Sequence, residues 1–576
     1  MNAASRGEVA RIMPRRITRH QFLKAGLAAS GVIGAWALAA CTPTQAPAPA
    51  ATLPPAATTG PAATTAPTAA PAATTAPAAT SAPAAAATTA ATTTGTPKQG
   101  GTLTDSATGE LKFDPYWNVS GYYGNRIFFD ALFDYSGPEP YKPVPHLAES
   151  YEETDKGLTI KLRQGVKFHN GREFTSQDVL DNIARAKDKS IGHYLFDTFD
   201  SSVDTAEAPD KYTVKLTYKQ VYPVKLDDLA ELYIIAKEAM PNVATNPVGT
   251  GPFKFDSYAP GDKLQASRFD GYWMSGKPYI DKLVTKVLPD PQALLANIQT
   301  GTIDYVGSIP LPDAARMKSE GQVNVQSTPP GGLWYAFGLN CANAALGQKQ
   351  FRQAFNWATN RDQISKLAFQ GLAQPTQVRY TPDQPWYDQK AASMYSFDID
   401  KAKSLIQQSG VTTPIDIRLM TMEGRLPGTK AVAQVWAQDL QKIGVNLQIT
   451  DLAQQLFVDN WNKGDYDIAI WGTGDGKLDP ATQIASGSLV RTSNNRSHIE
   501  TQPFYDNYKK LIDQGASTVD ANVRKPVYDQ IFELWNDESW QIIFAFWTEF
   551  YGLTQRVKDF HYQVDSFVSW TDVWLA

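Results

Sequence analysis

The sequence predicts an α/β protein folded as two lobes. A strand–helix–strand run spans Lys282 to Val306, a longer wound series spans Ile415 to Trp471, and more than a hundred residues separate the two. Right-handed crossovers make the strands of such units parallel, so two units this far apart imply two sheets. The stretch from Lys98 to Ala576 is long enough for two or three domains with a large core.

Taken in order, Gly101–Thr104 reads as the first strand, followed by a turn-rich aromatic loop around Asp114–Trp117. A helix or strand over Arg126–Tyr135 leads into Pro143–Ser150, and Gly157–Leu162 alternates as a half-buried strand. After the turn at Arg163–Gly171, Thr175 or Ser176 caps a helix containing Asp178–Val179–Leu180. Lys282–Leu288 is a strand, Asp290–Pro291 is a cap-then-proline helix start, Gly301 stops that helix, and Thr302–Val306 is the next strand. In the second series Ile415–Met420 is a strand, Thr429 caps an amphipathic helix ending near Gly444, and Val445–Thr450 is a strand. A helix from about Ala453 to Lys463 and a strand at Tyr466–Trp471 complete it. Trp540–Trp547 is a further strand-like apolar run.

The N-terminus has a different logic. Arg11, Arg15, Arg16, Arg19 and Lys24 precede a small and apolar run, Ala25–Ala40, which is too short for a comfortable membrane span and has the layout of a secretory signal. Leu38-Ala39-Ala40-Cys41 resembles the bacterial lipobox, which implies a signal peptide over residues 1–40 and a lipidated Cys41. Each buried methylene of such an anchor is worth about 0.8 kcal/mol. Thr18–Lys24 resembles a twin-arginine export signal with His20 in place of the second Arg, leaving the export route open. Residues 41–97 are then a tether, because Thr42–Pro97 is almost entirely Ala, Thr and Pro and carries no charge. Such a chain buries too little apolar surface to order itself and extends at roughly 3.1 Å per residue.

Losing residues 1–40 removes six basic residues and one acidic one, moving the formal charge from −5 to −10. That excludes nucleic acid as a partner. Cys341 is the only cysteine of the folded part, so no internal disulfide forms there and packing carries its stability. Aromatics outside clean periodicity, namely Trp117, Tyr122, Tyr123, Trp334, Tyr335, Trp386, Tyr387 and Trp471, suit either loop-capping of a core or a stacking cleft. Enzyme signatures fail. Gly271 to Lys277 follows the phosphate-loop pattern until Pro278 replaces the hydroxyl residue that would hold magnesium. No His-Glu-x-x-His or Gly-x-Ser-x-Gly occurs, and the six histidines are scattered, so neither a metal nor another cofactor is expected.

The run PHLAES…GLTIKLRQGVKFHNGREFTSQDV resembles the signature of family 5 extracellular solute-binding proteins, the dipeptide, oligopeptide and nickel receptors of ABC importers. NPVGTGPFKF (Asn246–Phe255), FDGYWMSGKPYID (Phe269–Asp281), TGTIDYV (Thr300–Val306) and FRQAFNWATNRDQI (Phe351–Ile364) follow in the family's order. The resemblance implies a type II periplasmic-binding-protein-like fold, an α/β architecture of two lobes with an additional subdomain in the first. The first lobe is expected over 98–330 with the subdomain at about 136–245, the second over 331–545, and the return to the first over 546–576. A crossover near Gly331–Tyr335 would serve as hinge.

Ligands of open parallel sheets sit beyond the carboxyl ends of the strands, which points to the loop Gly472–Pro480. In similar peptide receptors a Trp, an Asp and an acidic residue before Pro occupy this place, and the Asp pairs with the ligand's amine. Trp471, Asp475 and Asp479–Pro480 match in order with spacings about one residue longer, which makes Asp475 the candidate and Asp479 its rival. The alternative, that both Asp residues only make turn and cap hydrogen bonds, stays open. Trp117, Tyr122 and Tyr123 on one side and Trp334 and Tyr335 at the crossover should complete the cleft.

The resulting expectation is a monomeric, non-enzymatic lipoprotein. It sits on the outer face of the cytoplasmic membrane or in the periplasm, captures a small-molecule or peptide ligand, and hands it to the transmembrane subunits of an ABC permease. A surface hydrolase using a carboxylate pair and a ligand sensor uncoupled from import are the alternatives.

Overall fold

A computed structural model describes residues 95–115, 125–136, 142–193, 195–331, 333–473, 478–481, 484, 497–562 and 568–576. The leader, Cys41 and nearly all of the tether fall outside these residues. Four larger sheets organise the rest. In the first, Thr102–Ala107 pairs in parallel with Lys282–Val287, which is followed across the sheet by the antiparallel strands Lys263–Arg268 and Phe253–Ala259. A second, wholly antiparallel sheet orders Ala148–Thr154, Gly157–Leu162, Thr213–Tyr218 and Val203–Asp210. The helix Ser176–Ala186 packs on it and is capped at Thr175, whose backbone amide meets Asp178 Oδ2 at 2.9 Å in a capping box.

A third sheet places Phe550–Leu553 between Tyr305–Val306 and Asn324–Ser327. The fourth orders Val445–Asp451, Ile415–Thr421, Ile468–Thr473, Trp334–Leu339 and Gln541–Phe546. Its first three strands are parallel, as the wound series requires, and Trp334–Leu339 runs antiparallel to both its neighbours. That strand is buried throughout and alternates between two cores. Tyr335, Phe337 and Leu339 enter one, where Phe337 stacks on Trp436 at 3.7 Å, and Trp334 and Ala336 enter the other.

Two expectations shift in detail. Tyr305–Val306 does not pair with Lys282–Val287, because Thr102–Ala107 occupies the parallel place beside the latter and also meets the Asp304 amide through Thr104 O at 2.5 Å. The helix expected to be capped by Thr429 begins at that residue with Gly428 as its cap at φ +88°. The Glu423 carboxylate supplies the missing acceptor, taking the amides of Gly428 at 2.8 Å and Lys430 at 2.9 Å.

The sequence motifs hold this framework together. Asp130 accepts from Thr250 Oγ1 at 3.0 Å, Trp273 Nε1 at 3.0 Å and Tyr272 OH at 3.2 Å, joining two distant motifs at one buried carboxylate. A Cβ on Gly249 would stand 2.2 Å from Phe128 O, so only glycine admits this approach. His169, held near pKa 4 by burial and therefore neutral, bonds Gly251 O at 2.9 Å through Nε2. Asp304 takes Thr104 N, Thr554 Oγ1 and Arg556 Nε at 2.9, 2.9 and 2.6 Å, fastening the C-terminal segment to the first strand.

The chain crosses between the third and fourth sheets twice, after Ser327 and after Phe546. The two passages are tied to one another: Thr328 N donates to Glu549 O at 2.9 Å, and Trp547 N donates to Leu333 O at 3.1 Å.

Candidate functional site

The carboxyl ends of the parallel strands Ile415–Thr421 and Ile468–Thr473 open beside the two crossings. Arg425, on the loop that leaves the first of these strands, is exposed, and its guanidinium stands 5.5 Å from the centre of the Trp547 ring. Trp547 stacks on Tyr335 with centroids 5.4 Å apart, and Tyr335 stacks in turn on Phe369 at 5.4 Å. Gly472 makes this floor possible, because a Cβ there would lie 2.5 Å from Trp547 Cε3. Glu549 completes the group. Burial pushes its carboxyl above the ordinary range, against the pull of Arg425 and a hydrogen bond from Trp547. Burial likewise pushes the Tyr335 phenol up, with Glu549 adding to the effect. The result is an aromatic stack, buried at Tyr335 and Phe369 and half-buried at Trp547, with a guanidinium and a carboxylate beside its outer ring.

Of the residues expected from the sequence, Tyr335 belongs to this group. Trp334, its neighbour in the strand, faces the opposite core, where the Arg379 guanidinium sits 4.4 Å from its ring and 3.8 Å from that of Trp535. Trp471 is also in that core, edge-on to Trp461 at 4.4 Å. Both indoles are buried, and among the described residues neither Nε1 has a hydrogen-bond partner. Asp479 is held at both carboxylate oxygens by Arg524, at 2.5 and 2.8 Å, while Oδ1 also accepts the Ala481 amide at 2.8 Å. Trp117, Tyr122, Tyr123 and Asp475 lie outside the described residues. Arg425, Trp547 and Glu549 were not singled out by sequence reasoning. The strand-end rule that pointed to the loop after Trp471 applies equally to the loop after Thr421, and would have found Arg425.

A cavity of about 190 Å³ lies elsewhere, lined by Arg126, Asp130, Asp134, His146, Lys277 and Asp572 among others. Its charges are paired within it: Arg126 with Asp134 at 2.9 Å, His146 with Asp130 at 3.0 Å, and Lys277 with Asp572. Burial pulls the His146 pKa down, but the hydrogen bond and charge of Asp130, with Asp134 behind it, hold it above the usual histidine value. Among the described residues no group of three or more His, Cys, Asp or Glu side chains could hold a metal ion, and no helix is long and apolar enough to cross a membrane.

Comparison with known proteins places this geometry. The profile of bacterial extracellular solute-binding proteins, family 5 middle region, matches residues 142–495. The glutathione-binding protein GsiB of Escherichia coli O1:K1 is 27% identical over 433 residues, covering 72% of this chain and 82% of its own. The solved structure of the periplasmic binding protein AgaA from A. tumefaciens R10, in complex with agropinic acid, aligns at a TM-score of 0.65 and 25% identity over 83% of this chain and 99% of that one. The ABC transporter substrate-binding protein CtaP from Listeria monocytogenes aligns at 0.72 and 24% identity over 83% and 100%. The fold is therefore the two-lobed, type II periplasmic-binding-protein architecture. The chain belongs to family 5 of the bacterial extracellular solute-binding proteins, the solute-binding components of ABC importers.

Proposed function

We propose that this protein captures an oligopeptide between its lobes, closes on it by hinge rotation, and delivers it to a membrane permease from a lipid anchor at Cys41. The observation that carries the ligand class is the Arg425–Trp547–Glu549 group beside the crossings, because charges of both signs flanking an aromatic floor suit a zwitterion with an apolar body. GsiB is named for glutathione, itself a peptide, which supports the same class. The bond of Asp479 to Arg524 leaves Asp475 as the better partner for the ligand's amine. On this reading the first lobe runs over 98–330 with the subdomain at about 136–245, the second over 331–545, and 546–576 returns to the first. A ligand touching both lobes favours the closed state by its differential affinity for that state. The protein acts as a monomer without catalysis, at the outer face of the cytoplasmic membrane or in the periplasm.

Native mass spectrometry of the protein purified gently from its host tests the ligand class. Adducts differing by amino-acid residue masses support a peptide, and a sugar, opine or chelate mass overturns it. Stoichiometric binding without turnover separates a receptor from a hydrolase. With a recovered peptide in hand, Arg425→Ala is expected to weaken binding by about 2 kcal/mol, near thirtyfold, as loss of a charge-assisted contact does. The C-terminal amide of the same peptide should bind both proteins alike in a calorimetric titration. Asp475→Asn is expected to weaken free-amine peptides far more than N-acetylated ones, and equal losses would remove Asp475 from that role.

A further inference from the structure

The additional subdomain touches the second lobe away from the crossings. Asp155, in the turn between strands Ala148–Thr154 and Gly157–Leu162, accepts from Val519 N at 3.0 Å and from Thr518 Oγ1 at 3.2 Å. Residues 518 and 519 belong to the loop between helices Tyr505–Gly515 and Ala521–Glu538 of the second lobe. Beside Asp155, Val224 is buried in the second lobe's aromatic core, and Tyr222 packs against both that core and the core of the first lobe.

The platform bearing these groups is stiff. Lys225, whose side chain is fully buried, bonds Thr154 O at 2.6 Å and Glu153 at 3.2 Å, and Tyr222 N bonds Asp155 O at 3.2 Å. The surface it meets is equally braced. Arg524, in the first turns of the helix that follows Val519, bonds Gly515 O at 2.9 Å and grips Asp479 with its other nitrogens. Asp479 lies just beyond the strand Ile468–Thr473, at whose carboxyl end the ligand is proposed to sit.

Two bodies joined by paired crossings turn freely until a third contact closes the loop, and that contact must then break for the lobes to part. We infer that Asp155 is the catch of an interlobe latch: the subdomain turn holds the 518–519 loop and, through Arg524, steadies Asp479 at the edge of the ligand cleft. Asp155 thus acts as a positioning residue that sets how readily the cleft opens, and the subdomain is part of the closing mechanism. This rests on the hinge-closure reading above.

Hydrogen–deuterium exchange of the full chain tests it without any ligand, so its failure leaves the peptide assignment untouched. In Asp155→Ala the Val519 amide should exchange about tenfold faster, as expected on losing one bond to a charged acceptor. The amide of Ala481, which Asp479 holds, should exchange faster with it, while the amides of strand Gly157–Leu162 keep their wild-type rates. Asp155→Asn retains an acceptor oxygen and should restore most of the protection at both places. Unchanged exchange at Val519 overturns the latch. Faster exchange at Val519 with Ala481 unmoved also overturns it, reducing the contact to a local surface bond. Val224→Ser, which weakens the same junction from its apolar side, should reproduce the paired acceleration, and its absence would count against the inference.

Discussion

Arg352→Ala is expected to lower the stability of the second lobe by about 3–5 kcal/mol, the range for breaking a buried ion pair from one side. The guanidinium is fully buried, and all three of its nitrogens donate. Nε meets Glu538 O at 2.7 Å, Nη2 meets Glu538 Oε2 at 3.1 Å, and Nη1 meets Leu346 O, Gly347 O and Gln502 Oε1 at 2.9, 3.0 and 3.0 Å. It therefore ties together the start of its own helix, the end of the long helix Ala521–Glu538, and the segment around Gln502. Truncation leaves these acceptors dry and without donors, whereas Glu538 keeps Lys349 at 2.9 Å. Arg352→Lys preserves the charge but cannot fork to the same acceptors, so it should recover less than half of the loss. Urea unfolding followed by tryptophan fluorescence reads the effect, and a loss below 1 kcal/mol for the alanine variant would contradict this account.

Asp105→Asn is expected to act in the other direction and only at neutral pH. Asp105 lies within the first strand with no exposed surface; its oxygens find no well-formed hydrogen bond among the described residues, and the weak ones from Thr285 and Trp570 only partly offset its burial. Burial raises its pKa from 3.8 to about 7. Below pH 4 the carboxyl is neutral in both the folded and the unfolded chain. As pH rises the unfolded chain ionises first, so folding loses stability until the folded group also ionises near pH 7. The linkage amounts to about 4 kcal/mol across that window. The asparagine variant has no such slope. Its melting temperature should exceed that of the parent by several degrees at pH 8, and the difference should shrink steadily towards pH 4. A gap that does not vary with pH would show that Asp105 is not the titrating group.

The framework was legible in the sequence because its signals are local. Thr175 with Asp178 makes a capping box, Asp290–Pro291 starts a helix, and alternation marks Gly157–Leu162. The second wound series was read strand by strand because each parallel strand is a short apolar run between capped helices. What escaped is non-local. Nothing near Tyr305 reveals that its partner is Leu553, since that pairing depends on a chain end some 250 residues away. The aromatic residues show the same limit. Trp334 and Tyr335 are adjacent in the sequence and equally buried, yet strand alternation sends them into different cores, and only that of Tyr335 reaches Trp547. The family motifs, for their part, mark scaffold: Gly249 and Asp304 fasten distant segments, and Thr250, Tyr272 and Trp273 converge on Asp130, while Arg425 and Glu549 stand outside the quoted motifs.

The placing of the last strands governs the order in which the protein can be made. Gln541–Phe546 completes the second lobe's sheet, and Phe550–Leu553 is the middle strand of the sheet it forms with Tyr305–Val306 and Asn324–Ser327. A ribosome that has released the first 540 residues has therefore delivered two unfinished sheets, one lacking its edge strand and the other its middle strand, and neither is complete until residues 541–553 arrive. Such long-range pairing folds slowly. The first and second sheets, complete by Val287, can form before that segment exists, so the two sheets that wait on residues 541–553 are the last to be finished.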